Sequence, residues 1–128
     1  MEDKIKDENL LRSIKLKLCT TPVKSYKEIE EINITNKNFL GNILNIDLKE
    51  ITKLKSLEVI SLKFFEITDE VIDSLNMLEK LNKIEFYMCD FKTNKKINNN
   101  IKHITVYCCN NFNRNILKDT INIESLEI

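Results

Sequence analysis

The chain has few of the residues that build common catalytic and ligand-binding motifs. Its 128 residues include one glycine, one proline, one histidine and no tryptophan. A phosphate-binding loop needs several glycines in a short stretch, so the single Gly41 excludes one. The lone His103 has no neighbour in sequence that would make it a general base, and we expect neither an enzyme nor a cofactor.

Net charge is also absent, because 20 basic and 20 acidic residues cancel. General binders of nucleic acid or of membrane surfaces carry excess positive charge, so we expect neither as a partner. No stretch approaches the roughly 18 apolar residues of a membrane-spanning helix, and residues 1–8 are too charged for a secretory signal. We therefore expect an intracellular, cytoplasmic protein.

Charge is nevertheless uneven along the chain. Residues 66–79 contain five acidic residues and no basic one, whereas residues 92–118 contain basic residues and no acidic one. Both blocks fall mainly between the predicted strands described below. We interpret them as solvated faces rather than as a phosphate or nucleic-acid site.

Apolar residues recur in a fixed spacing along most of the chain. Each copy has a first apolar residue, a second one three positions later and a third one two positions after that. Six copies occur, and they begin at Leu11, Ile29, Leu57, Leu81, Ile101 and Ile123. Two copies extend to five apolar residues, at offsets 0, 3, 5, 8 and 10: Leu57, Ile60, Leu62, Phe65, Ile67 and Leu81, Ile84, Phe86, Cys89, Phe91. Helices favour steps of three and four and strands steps of two, so these offsets indicate a short strand that turns a corner.

The pattern L-x-x-L-x-L-x-x-N/C-x-L resembles that of the leucine-rich repeat family, and it covers about residues 10–128. The copies begin 18, 28, 24, 20 and 22 residues apart, mostly within the family's range of about 20 to 29. The resemblance implies an α/β solenoid of about six irregular repeats, with a parallel concave sheet and with helices and loops on the convex side. We divide the chain into an N-terminal cap segment, residues 1–10, and a repeat domain, residues 11–128.

The spacing also predicts the individual elements. Strands are expected at residues 13–17, 31–35, 59–63, 83–87, 103–107 and 125–128. Apolar residues at helical steps predict helices at residues 47–55, behind Thr68 and Asp69, and at residues 113–121. Residues 92–100 have Ile97 as their single apolar residue, which indicates a loop or one turn.

Three of the four cysteines, Cys19, Cys89 and Cys109, hold the ninth position of their copies. In the family this position takes a small polar side chain that donates to loop carbonyls, which a reduced thiol can do. A zinc site is the alternative, but paired Cys-x-x-Cys spacing is missing, so we expect no metal.

Residues between the inward apolar positions are expected to point out of the concave face in rows. We predict a partner-binding patch there: Lys63, Phe64, Lys83, Glu85, Tyr87, Met88, His103, Tyr107 and Cys108. Exposed aromatic side chains on rigid strands offer contact area at low entropic cost. Tyr87 and Tyr107 should lie about 5 Å apart and point to solvent together, as neighbouring strands space them. Alternatively, the side chains of Phe64, Met88 and Cys108 could pack into the core. Cys108 and His103 could also face each other, but the sequence around them has no pattern that would activate the thiol.

The resemblance implies a non-catalytic module that binds an unidentified protein through its concave face, as an inhibitor, adaptor or effector. The alternative is a structural subunit, a homo-oligomer assembled through the strand edge at residues 125–128. A parallel sheet that ends there would expose backbone donors and acceptors along one edge.

Overall fold

The computed structural model describes residues 12, 14, 25–35, 48–97, 101–117 and 122–127. Within them lie seven strands: β1 (Glu31–Thr35), β2 (Val59–Lys63), β3 (Glu66–Ile67), β4 (Lys83–Tyr87), β5 (Asp90–Phe91), β6 (His103–Tyr107) and β7 (Asn122–Glu127). Five of them form a parallel sheet in the order β1-β2-β4-β6-β7, and β3 pairs in parallel with β5. Strands β1, β2, β4 and β6 have the bounds that the apolar spacing predicts.

The core lies on one side of the main sheet and is formed by the recurring apolar positions. In the copy that begins at Leu57, all five side chains are at most 1% exposed. The copy that begins at Leu81 is buried in the same way, and its Phe86 and Phe91 rings meet edge to face with centroids 5.0 Å apart. Strand alternation leaves the other face of the sheet open, as the exposed Glu31, Asn33 and Thr35 of β1 illustrate.

A tight corner follows β2, β4 and β6, and the short strands β3 and β5 come after the first two corners. Phe64, Met88 and Cys108 occupy these corners with φ of 66°, 51° and 51°, in the left-handed region that disfavours residues with a Cβ atom. Backbone hydrogen bonds to the neighbouring strand hold this conformation. The Phe64 amide donates to the Tyr87 carbonyl at 3.1 Å, and the Met88 amide donates to the Tyr107 carbonyl at 2.8 Å. The corner hydrogen bonds thus run from one strand to the next.

Helices are few among the described residues. One α-helix, α1 (Asp69–Asn76), begins behind Thr68, whose Oγ1 accepts from the Val71 amide at 3.4 Å, and this confirms the helix predicted there. The prediction of α-helices at residues 47–55 and 113–121 is wrong where the structure describes them, since Leu48–Lys53 and Arg114–Ile116 are 3₁₀ helices. Leu48, Ile51 and Leu54 recur at steps of three, the period of a 3₁₀ helix. The 3₁₀ helix Arg114–Ile116 ends at Leu117, whose backbone is extended.

Residues 92–97 have no regular secondary structure, as predicted for this loop. Residues 98–100 lie outside the described part of the chain. Ile97 is fully buried, and its amide donates to the Ile116 carbonyl at 2.8 Å. One apolar side chain therefore anchors an otherwise polar return segment.

The first predicted strand, residues 13–17, is wrong at Ile14, which is buried and has helical backbone. Leu11, Ile14 and Leu18 recur at steps of three and four, a helical period that the repeat pattern obscured. The cap segment, residues 1–10, and Cys19 lie outside the described residues.

The last strand differs from its prediction at residues 125–128. Strand β7 begins at Asn122, and residue 128 lies outside the described residues. Ile123 pairs with Ile104 and Leu126 with Val106, with a register shift that admits one additional residue between them. The spacing instead predicts Leu126 beside Ile104. The earlier start lets five residues of β7 pair with β6. The described residues thus form an α/β fold with a parallel sheet, and the six-repeat solenoid stays a prediction.

Candidate binding site

A cavity of about 440 Å³ lies on the open face of the main sheet, opposite the core. Its lining comes from β1, β2, β4, β6 and the corner after β4: Asn33, Ile34, Thr35, Ser61, Lys63, Glu85, Tyr87, Met88 and Tyr107. The strand register aligns Thr35, Lys63, Tyr87 and Tyr107 in one row and places Asn33, Ser61 and Glu85 in the row beside it.

Five of the nine predicted patch residues line this cavity: Lys63, Glu85, Tyr87, Met88 and Tyr107. The other four, Phe64, Lys83, His103 and Cys108, do not line it. The predicted patch omitted four lining residues, the inward Ile34 and the outward Asn33, Thr35 and Ser61. The alternation of buried and exposed positions in β1 and β2 carried a signal for the three outward residues, since they share rows with predicted residues.

Tyr87 and Tyr107 form the aromatic part of the cavity wall. Their ring centroids are 6.2 Å apart and the ring planes are tilted by 53°. Tyr107 is 39% exposed and Tyr87 is half-buried, and both line the cavity on the open face, where the sequence placed them. The Tyr87 hydroxyl donates to Glu85 Oε2 at 3.2 Å, which draws its ring onto the sheet.

Glu85 is the centre of a polar network in the cavity. Ser61 Oγ donates to Glu85 Oε1, Tyr87 donates to Oε2, and Lys83 Nζ lies 3.9 Å from Oε2. Burial raises the pKa of the Tyr87 hydroxyl, and the charge and hydrogen bond of Glu85 add to the effect. Tyr87 therefore keeps its proton and directs it at the carboxylate.

For the corner residues Phe64, Met88 and Cys108, the sequence left two interpretations open: exposed contact residues or additional core. Met88 and Cys108 are exposed, so neither is additional core. Phe64 is half-buried, and Lys63 Nζ lies 5.1 Å from the centroid of its ring. This distance permits a cation–π interaction, which directs the lysine toward the corner.

His103 and Cys108 do not form a pair. His103 begins β6 and Cys108 directly follows its last residue, so the strand separates them. At about 3.3 Å per residue, five residues of extended chain place their backbones roughly 16 Å apart.

The two described cysteines of the ninth position are buried donors, as predicted, but their acceptors are carbonyls of strand residues rather than loop carbonyls. Cys89 and Cys109 are each 1% exposed. The Cys89 thiol lies 3.4 Å from the Leu62 carbonyl and 3.5 Å from that of Tyr87. The Cys109 thiol lies 3.5 Å from the carbonyls of Phe86 and Tyr107. Across the described residues, His, Cys, Asp and Glu do not gather in a group of three or more that could hold a metal ion.

The charged blocks contact each other away from the cavity. Lys95 Nζ lies 2.8 and 2.9 Å from the two carboxylate oxygens of Asp73 on α1. Thr93 Oγ1 donates to Asp69 Oδ1 at 2.5 Å. The acidic helix thus contacts the basic segment that follows β5, which supports the interpretation of both as solvated, mutually neutralising surfaces.

None of the helices in the described part of the chain has the length and apolar character that crossing a membrane requires. Comparison of the chain with known protein families, with curated proteins and with solved structures finds no match. A function must therefore be argued from the chemistry of the site itself.

Proposed function

We propose that the chain is a leucine-rich-repeat scaffold that binds a protein partner through the open face of its sheet and performs no chemistry of its own. The family assignment is supported by the agreement between the apolar spacing and strands β1, β2, β4 and β6, which lie side by side in chain order. The corner and short parallel strand that follow β2 and β4 also suit this spacing.

The observation that carries the proposal is the Tyr87–Tyr107 pair beside a cavity. Tyrosine is among the residues that contribute most energy at protein interfaces, because it buries a large ring at a small cost in side-chain entropy. Both tyrosines extend from strands whose backbones are fixed by the sheet. Met88, 36% exposed, adds a flexible apolar surface at the rim.

The size of the cavity also fits this use. At about 440 Å³ it lies within the range of about 300–1,000 Å³ typical of ligand pockets. Its walls combine the two aromatic rings with the hydroxyl, amide and carboxylate groups of Ser61, Asn33 and Glu85. An anchor side chain of a partner would meet apolar walls and a polar floor there.

The test is the loss of a partner when the ring pair is removed. We expect Tyr87→Ala with Tyr107→Ala to abolish capture of a specific protein from an extract of the native host. Met77→Ala is the matched control, because Met77 is 62% exposed at the end of α1, away from the cavity. A folded double variant that still captures the partner would move the site elsewhere.

Self-assembly through residues 125–128 is the second candidate. In the described part of the chain the strand order ends on β7, which pairs with β6 on one side. A strand at a sheet edge can pair with another chain. Light scattering separates the two functions: a monomer favours partner binding, and a defined oligomer that dissociates when β7 is altered favours assembly.

A further inference from the structure

Around Glu85 the cavity offers mainly hydrogen-bond acceptors, whereas Asn33 and Thr35 on β1 carry side chains that can also donate. Ser61 and Tyr87 both direct their hydroxyl protons at Glu85. Each hydroxyl oxygen keeps lone pairs that can accept, and a carboxylate with about four acceptor positions can accept beyond these two bonds. A group that enters beside Glu85 is therefore bound best if it donates hydrogen bonds.

Two groups in the cavity favour a donor that is also a cation: the Glu85 carboxylate and the faces of the tyrosine rings. The faces of the Tyr87 and Tyr107 rings carry the negative part of the aromatic quadrupole. Lys63 is the cation in the lining and opposes a second one, but its ammonium already lies 5.1 Å from the centroid of the Phe64 ring, within reach of a cation–π interaction. Lys83 lies 3.9 Å from Glu85 Oε2, longer than the roughly 2.8 Å of a strong ion pair, so it neutralises the carboxylate incompletely.

Among cationic side chains, arginine fits this arrangement best. Its guanidinium is planar, stacks on aromatic rings and presents five donors, whereas a lysine ammonium is a compact, strongly hydrated charge. We propose that the cavity binds an arginine side chain of the protein partner, with the guanidinium against the tyrosine rings and donating toward Glu85 and Ser61. This inference rests on the proposed function, because it identifies the anchor residue of that partner.

The experiment uses displayed peptides of random sequence, selected on the native full chain. We expect the retained sequences to share one arginine. A synthetic copy of a retained peptide is then compared with a copy in which citrulline, neutral but similar in shape, replaces this arginine. We expect affinity to fall about tenfold or more with citrulline, because the charge and the ionic hydrogen bonds are lost.

Variants of the protein give the second half of the test. Glu85→Gln removes the negative charge and keeps the side-chain size, so it should lower the affinity for the arginine peptide about tenfold. Glu31→Gln is the matched control, since Glu31 is exposed on the same face but does not line the cavity. It should change affinity by less than about twofold. Equal binding of the citrulline peptide, or the absence of arginine from the retained sequences, would overturn the inference.

The two proposals fail in different ways. If retained peptides lack arginine but lose binding to the Tyr87→Ala, Tyr107→Ala variant, the arginine inference is wrong and the proposed binding face stands. If an arginine peptide binds the folded double variant as well as it binds the native chain, the cavity is not the binding site and both are wrong.

Discussion

The backbone amide of Cys89 donates to the sulfur of Cys109 at 3.4 Å. Each thiol in turn lies within 3.5 Å of two strand carbonyls. Two buried cysteines, each two residues past the end of a strand, thus add hydrogen bonds to carbonyls near the ends of β2, β4 and β6. The Tyr87 and Tyr107 carbonyls also accept from the amides of Phe64 and Met88, so thiols and amides together fix the corners.

Cys89→Ala should destabilise the protein by about 1–3 kcal/mol, because the Leu62 carbonyl loses a buried donor, whereas the Tyr87 carbonyl still accepts from the Phe64 amide. Cys108→Ala should change stability by less than about 0.5 kcal/mol, since Cys108 is exposed. Urea unfolding followed by circular dichroism measures both. Equal midpoints for the two variants would show that the Cys89 thiol has no structural role.

Alkylation should separate the same two thiols in the native protein. Cys108 is exposed and should react, whereas hydrogen bonding to Cys109 and burial raise the pKa of Cys89 from its ordinary 9.0 and keep it protonated. The raised pKa stabilises the fold below pH 9.0, and this stabilisation is lost as pH rises above that value. Peptide mapping after brief alkylation gives the modified site. Rapid modification of Cys89 without unfolding is incompatible with the buried ladder.

The left-handed corner predicts a stabilising substitution. Cys108 has φ of 51°, and its Cβ atom costs about 1–2 kcal/mol in this region. Cys108→Gly removes that cost but adds entropy to the unfolded chain, so we expect a net gain of about 0.5 kcal/mol. Cys108→Val should lose stability, because a β-branched residue fits this region worst. A valine variant as stable as the glycine variant would refute the strain.

The Tyr87 hydroxyl should ionise at a higher pH than that of an ordinary tyrosine. Burial and Glu85 raise its pKa above 10.0, so the stability that this hydroxyl contributes is present below pH 10.0 and lost above it. The ultraviolet absorbance of phenolate, titrated in the native protein and in Tyr87→Phe, gives the midpoint of Tyr87 by difference. Glu85→Gln should lower that midpoint. A midpoint at or below 10.0 in the native chain would argue against the Glu85 network.

The strands could be predicted from the sequence because the spacing of apolar residues within each strand determines where it begins and ends. The bounds of Glu31–Thr35 and Lys83–Tyr87 follow from which side chains must be buried, and the offsets state this directly. Ile14 was mispredicted because its neighbours satisfy a helical period as well as the repeat spacing. The register of β7 was mispredicted because a bulge is decided by pairing along the whole strand, which spacing alone does not encode.

The site was predictable to the level of rows. Alternation along the strands was enough to align Lys63, Tyr87 and Tyr107. It did not reveal that Tyr87 bends toward Glu85, since that depends on a hydrogen bond between side chains two positions apart on one strand. Ser61 was missed because a small residue gives no apolar or charge signal, although its hydroxyl fixes one oxygen of Glu85.

The central claim is that the open face at Tyr87 and Tyr107 contacts a protein partner. The most direct measurement places a photocrosslinking amino acid at position 107 and, as control, at position 77 on the end of α1, and irradiates the protein in its native host. Both positions are exposed, so both can carry the probe without loss of the fold. We predict a discrete crosslinked partner from position 107 and none from position 77. A discrete partner from position 77 with none from position 107 would contradict the account.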